Sequence, residues 1–229
     1  SAFFEKGKLT SIIGVNGCGK STLLKAILGI LSLSSGEIFI DGENLLTISR
    51  NEIAKKIAYL SQGKNIPDMT VEQMVLHGRF PYLSYPRRYS SHDREVAIKA
   101  MEIVGIAEFA HKPLYSLSGG MRQNAYIAMA LAQDTDYILL DEPTTYLDIA
   151  HQLELMRILR KLADSGKGIV TVMHNLTIAF DFSDKLTVMS NGKIIAYGTP
   201  SEICESHIVE DIFGVKIKQV QKGKYLYEY

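Results

Sequence analysis

The sequence predicts an α/β fold: a mainly parallel sheet with an antiparallel β arm and an inserted block of helices. Three observations predict it. A glycine loop stands between an apolar strand, Leu9 to Ile13, and a helical pattern marked by Leu23, Leu24, Ile27 and Leu28. Tyr137 to Leu140, a continuous apolar run, and Gly168 to Met173 read as strands of the kind buried in the middle of parallel sheets. Between Gly63 and Gln133 the strand–helix alternation stops and helix signals take over. That stretch, 63–133, reads as a helical subdomain inserted into one domain spanning 1–229, whose core is made of 1–62 and 134–229.

The bulk numbers narrow the function classes. A chain of 229 residues can bury a sizeable core. Its 25 basic and 25 acidic residues balance, which argues against a general nucleic-acid or anionic-membrane surface, and no nucleic-acid partner is expected. Cys18 and Cys204 lie far apart, one of them inside the glycine loop, and read as free thiols in a reducing compartment. No apolar run approaches the roughly 18 residues that span a bilayer, and no signal peptide opens the chain. The expectation is a soluble protein that reaches a membrane only through partners.

Taken in order, the elements follow local signals. Ser35 to Asn44 reads as a hairpin arm, with Ile38 and Ile40 alternating and Asp41-Gly42 at the turn. Ser49-x-x-Glu52 is a capping box that opens a helix, and Ile57 to Leu60 is a short strand ending on Ser61-Gln62. Thr70-x-x-Gln73 is a second capping box, for a helix through Leu76. A loop follows from Gly78 to Ser91, crowded with Phe80, Tyr82, Tyr85, Tyr89, Arg79, Arg87 and Arg88. The next helix carries Val96, Ala100, Ile103 and Val104 on its apolar side and stops at Gly105. Met121 to Ala132 and Ile149 to Asp164 read as helices, the latter with Leu153, Met156 and Leu159 on one side. Asn191-Gly192 joins Lys185–Met189 and Lys193–Ala196 as a hairpin. Thr199-Pro200-Ser201-Glu202 starts a short helix, and the tail from Val215 reads as two strands around Lys222-Gly223.

The chemistry begins at Gly14-Val15-Asn16-Gly17-Cys18-Gly19-Lys20-Ser21-Thr22, which matches G-x-x-x-x-G-K-[ST] between a strand and a helix. Glycines let the backbone curl so that successive N–H groups point at phosphate oxygens, and the helix N-terminus adds partial positive charge. Lys20 would sit on the β- and γ-phosphates, and the Ser21 hydroxyl would complete a Mg²⁺ shell. The core is therefore expected to be a phosphate-loop (P-loop) NTPase. In that architecture Asp141, at the end of the apolar strand, would hold the Mg²⁺ shell, and Glu142 would act as base for an attacking water. Leu117-Ser118-Gly119-Gly120-Met121-Arg122-Gln123 is a second glycine-rich anion cradle at a helix start.

The ordered set resembles the ATP-binding subunit of an ABC transporter, over essentially the whole chain. It comprises the phosphate loop, Gln62 after a strand, the Leu117–Gly120 signature, Asp141-Glu142, Tyr146-Leu147-Asp148 and His174. The resemblance implies ATP and Mg²⁺ as cofactors and a head-to-tail dimer that sandwiches ATP between the loop of one copy and the signature of the other. It further implies that Ser118, Gly119 and Gly120 bind the γ-phosphate across that interface, and that Gln62 touches Mg²⁺ or the attacking water. Asp148 would belong to the loop joining the two sites, and His174 would contact the γ-phosphate. Asp141 to Gln152, His77 to Tyr82, Gly198-Thr199-Pro200 and Phe213-Gly214-Val215 resemble the form found in importers of iron–siderophore, haem and cobalamin chelates. The implied function is ATP hydrolysis that energises uptake of an iron chelate. The subunit would lie on the cytoplasmic face of the membrane, bound to a polytopic permease served by an extracytoplasmic substrate-binding protein, with Gly78–Ser91 as the docking loop. The alternatives are the same role for cobalamin, haem or another substrate, or a soluble ABC ATPase outside transport.

Three features depart from the family pattern. Met121 stands where Gln is usual, and Asn175 where an acid commonly follows the His. The family's adenine-stacking aromatic lies well upstream of the phosphate loop, and Phe3 and Phe4 are too near it in sequence. Either the first strand or two are missing or that contact is lost, and weaker ATP binding is expected. Cys18, at a helix N-terminus near Lys20, is expected to carry a reactive, low-pKa thiol.

Overall fold

The structure, a computed structural model, describes residues 2–61, 66–221 and 223–228; Gln62 and Lys222 lie outside them. The chain opens with β1 (Leu9–Gly14), buried at all six positions, and α1 (Lys20–Ile27). The arm is β2 (Phe39–Ile40) paired antiparallel with β3 (Glu43–Asn44). Its turn residues Asp41 and Gly42 have φ of 51° and 85°, the left-handed pair that a tight hairpin needs. Ser49 and Glu52 form a reciprocal capping box on α2 (Arg50–Lys56), which leads into β4 (Ile57–Leu60).

The helical block then holds α3 (Val71–Leu76), a 3₁₀ segment (His77–Tyr82), α4 (Ser91–Ile103) and α5 (Gly119–Ala132). Alternation resumes with β5 (Tyr137–Asp141), α6 (Ile149–Asp164), β6 (Gly168–Val172) and α7 (Leu176–Phe182). The hairpin β7 (Lys185–Ser190) and β8 (Lys193–Gly198), the short helices α8 (Pro200–Glu205) and α9 (Ile208–Phe213), and the pair β9 (Lys216–Gln221) and β10 (Lys224–Glu228) finish the chain.

Six strands form one sheet in the order β4-β5-β6-β1-β7-β8, parallel except for the antiparallel β7–β8 edge. β4 and β5 are direct neighbours, so the helical block leaves and re-enters the sheet at one edge. Each face has its own core. Ile12, Leu24, Ile27, Leu139, Val170 and Val172 pack α1, α2 and the arm on one side. On the other, Ile13, Ile138, Leu140 and Ile169 form one cluster with Met74, Met101, Ala128, Leu155 and Leu159 of the surrounding helices.

Three sequence expectations are corrected here. The inward side of α4 is Ala97, Ala100 and Met101, continuing to Val104, while Ile103 is 57% exposed. The segment from Gly78 starts as a 3₁₀ turn rather than an open loop, because Gly78 lies against the Met129 carbonyl, where a Cβ would stand 2.1 Å away. Arg79, grouped with the exposed cations of that loop, is buried: Nε donates to Asp93 Oδ1 at 2.9 Å and Nη1 to the Ala132 carbonyl at 3.0 Å. The exposed part of the loop is Phe80, Tyr82, Tyr85, Arg87 and Arg88, with the Arg87 guanidinium 4.5 Å from the Phe80 ring centroid.

Candidate functional site

The phosphate loop joins β1 to α1 at the carboxyl edge of the parallel strands, where α/β sheets bind ligands. Gly14 is required by contact: a Cβ there would lie 2.4 Å from the Met189 carbonyl oxygen and 2.6 Å from Cys18 Sγ. Gly17 and Gly19 have φ of 77° and 99°, so the loop curls through left-handed backbone before the first turn of α1. Asn16, Gly17 and Thr22 are exposed, and the buried Lys20 side chain donates through Nζ to the carbonyls of Gly14 at 2.8 Å and Val15 at 3.0 Å. Its ammonium is thus anchored at the mouth of the loop.

The register of the central strands assembles the rest. Asp141 pairs with Val172, so Glu142 and His174 both follow the ends of neighbouring strands. Ser21 Oγ donates to Asp141 Oδ1 at 3.0 Å, and His174 Nε2 lies 2.6 Å from Glu142 Oε1. Thr145 Oγ1 donates to the other Glu142 oxygen at 3.3 Å. Glu142 itself has φ of 53°, a conformation costly for a residue with a Cβ and typical of functional sites. His174 therefore stands beside the candidate base, a contact that the sequence did not reveal.

A second group forms around the signature. Ser118 caps α5, its Oγ accepting from the Met121 amide at 3.3 Å. Gly119 is exposed, whereas Gly120 is buried against the His151 ring, with a Cβ position 2.3 Å from His151 Cδ2. His151 Nδ1 lies 2.9 Å from both carboxylate oxygens of Asp148, which caps α6 and also accepts from the His151 amide. That amide first, and then the ring, hold the Asp148 carboxyl below the usual range. One imidazole thus ties the signature to the loop after Glu142. Both groups contribute to one cavity of about 480 Å³, lined by Tyr59, Gly119, Arg122, Asp141, Glu142 and Tyr146 among others.

Sequence reasoning missed Tyr59, Thr145 and His151. Tyr59 Oη donates to Asp141 Oδ2 at 3.3 Å; burial, with the neighbouring Asp141 charge adding to it, pushes the phenol up to about 12. Its alternation partner in β5 was the available signal, since Tyr59 pairs with Leu139, two residues before Asp141 on the same face. One further expectation changes. Cys18 is 4% exposed, packed in the cluster that holds Leu24 and Met189 with its Sγ 4.0 Å from Lys20 Nζ, so its thiol is shielded from solvent. Asn175 has a structural role, its Oδ1 accepting from the Ile178 amide to cap α7. Phe3 and Phe4 precede β1; the Phe3 ring centroid lies 6.4 Å from that of Tyr197, and Phe4 packs against the cluster that holds Leu24 and Ile27. The predicted role of Gln62 falls outside the described residues.

Ser21 and Asp141 suit Mg²⁺, a hard cation commonly held by one or two carboxylates together with phosphate oxygens. The family model described as ABC transporter matches residues 1–145. The chain belongs to the ABC transporter family. Among its relatives are the petrobactin import ATP-binding protein FpuD of Bacillus anthracis, 42% identical over 91% of this chain and 77% of that one. The iron(3+)-hydroxamate import ATP-binding protein FhuC of Bacillus subtilis is 42% identical over 92% and 79%. The ferric enterobactin transport ATP-binding protein FepC of Escherichia coli is 41% identical over 92% and 78%. A metal-chelate type ABC transporter solved in an inward-facing conformation superposes with a TM-score of 0.82 at 29% identity, over 97% of this chain and 85% of that one. As a member of the ABC family, the protein is an ATP-binding ATPase subunit. Among the described residues, no helix is long and apolar enough to cross a membrane.

Proposed function

We propose that this ABC subunit hydrolyses ATP to drive import of an iron chelate of the siderophore type through a membrane permease. The observation that carries the catalytic reading is the convergence of Lys20, Ser21, Asp141, Glu142 and His174 at one sheet edge. The kind of cargo rests on relatives whose names specify petrobactin, hydroxamate and enterobactin transport.

In this reading the loop amides and Lys20 hold the β- and γ-phosphates, and Ser21 with Asp141 holds Mg²⁺, which neutralises charge on the phosphate oxygens when bound. Glu142 takes a proton from the attacking water. His174 and Thr145 fix the two Glu142 oxygens, so the carboxylate meets the water in one orientation. Water oxygen bonds to the γ-phosphorus as the bond to the β-phosphate oxygen breaks, giving ADP and phosphate. Ser118, Gly119 and Gly120 serve the nucleotide of a second copy in a head-to-tail dimer, and closing that dimer moves the permease. Phe80, Tyr82, Tyr85, Arg87 and Arg88 form the permease-docking surface.

The test is co-purification of the full-length protein from detergent-solubilised membranes, followed by a screen of ferric chelates for stimulated ATPase activity. A polytopic permease in stoichiometric amount and stimulation by a ferric siderophore support the proposal. Recovery of soluble partners alone would end the importer reading and leave the ATPase chemistry standing.

A further inference from the structure

Asp141 is 7% exposed, and a carboxylate so buried is held only by donors that satisfy it. Its two oxygens are satisfied from different elements: Oδ1 by Ser21 of α1 at 3.0 Å, Oδ2 by Tyr59 of β4 at 3.3 Å. The strand register makes this possible, because Tyr59 opposite Leu139 shares a face with Asp141 one pleat further on. The two donors clamp the carboxylate from both sides. Without the phenol, the group could rotate about its terminal torsion, which is broad for Asp.

We propose that Tyr59 is a positioning residue for divalent-cation binding, acting through Asp141. It sets the plane of the carboxylate while Ser21 occupies the other edge. The inference rests on the reading of Asp141 and Ser21 as the Mg²⁺-holding pair. Partners of this outer-shell kind typically change metal affinity 10–100-fold when removed, and the 3.3 Å length of this one argues for the lower end.

The experiment uses the full chain with ADP and Mn²⁺ as the spectroscopic substitute for Mg²⁺, following free Mn²⁺ by electron paramagnetic resonance. Wild type, Tyr59→Phe and Asp141→Asn are compared, with ADP affinity in EDTA and the thermal midpoint measured alongside. Tyr59→Phe is expected to weaken Mn²⁺ binding about 10-fold while leaving metal-free ADP affinity and the midpoint near wild type. Mn²⁺ affinity within twofold of wild type would overturn the proposal, and so would equal losses with and without metal, which signify general loosening. Asp141→Asn separates the two levels. If it weakens Mn²⁺ and Tyr59→Phe does not, only the Tyr59 inference falls; if neither does, the metal-site reading falls as well.

Discussion

Adjacent glycines of the signature are expected to respond to the same methyl with opposite signs. Both lie in the first turn of α5, where replacing Gly by Ala gains about 0.5–1 kcal/mol by restricting the unfolded chain. At Gly119 a Cβ meets nothing within 4 Å, so Gly119→Ala should show that gain. At Gly120 the new atom would lie 2.3, 2.8 and 2.9 Å from Cδ2, Nε2 and Cγ of His151. The ring must move, and overpacking of this kind costs about 1–3 kcal/mol. Because the propensity gain is common to both variants, the difference between them isolates the clash: Gly120→Ala is expected to be less stable than Gly119→Ala by about 1–3 kcal/mol. Urea unfolding without nucleotide measures it, and the same pair in a His151→Ala background should show the difference collapse. Equal stability of the two variants, or a difference unchanged without His151, would refute the packing argument and with it the link between signature and Asp148.

Glu142→Gln should lower ATP turnover by about 10²–10⁴-fold while ATP binding persists, and steady-state phosphate release checks it. Arg79→Leu leaves the Asp93 carboxylate buried without its guanidinium and should cost about 3 kcal/mol in unfolding experiments; a loss under 1 kcal/mol would mark the pair as incidental. Burial works to raise the Asp93 carboxyl, but hydrogen bonds from the Ser90 hydroxyl and amide and from Arg79 outweigh it and hold it down to about 2. A carboxyl depressed in the fold contributes stability that is full above its unfolded value, about 3.9, and is lost as pH falls toward about 2. Thermal midpoints between pH 5 and 2 should therefore fall more steeply for wild type than for Asp93→Asn. Cys18 should resist alkylation in the native chain and react on unfolding, since its side chain is 4% exposed; rapid native labelling, followed by peptide mass, would contradict that burial.

The legible parts of this protein were those written in local code. Capping boxes at Ser49, Thr70 and Thr199, turn glycines at 42 and 192, and the apolar runs of β5 and β6 each depend on residues a few positions apart, and all stand where expected. The phosphate loop and the pair Asp141-Glu142 were legible for the same reason. What escaped was contact across the fold. Nothing near Tyr59 says that a residue 82 positions later needs its hydroxyl, and nothing near Gly120 announces the His151 ring. Arg79 misled because a cation amid exposed aromatics reads as surface, whereas Asp93, one turn into α4, draws it inward. Cys18 misled because the helix-terminus argument sets a charge environment, which Lys20 supplies, without saying how far the thiol is buried.

The division of the hydrophobic interior by the sheet bears on how the molecule comes apart. The helical block shares its cluster with the sheet and α6, so those parts should exchange their amide protons together, in the slowest openings. The phosphate-loop helix rests on the smaller cluster, with the arm and α2. This second unit is expected to open separately, and a nucleotide that binds only its closed form stabilises it by mass action. Bound ATP should therefore slow exchange first in α1 and at the Ser21–Asp141 junction, and reach the helices beyond the sheet only when the whole chain unfolds.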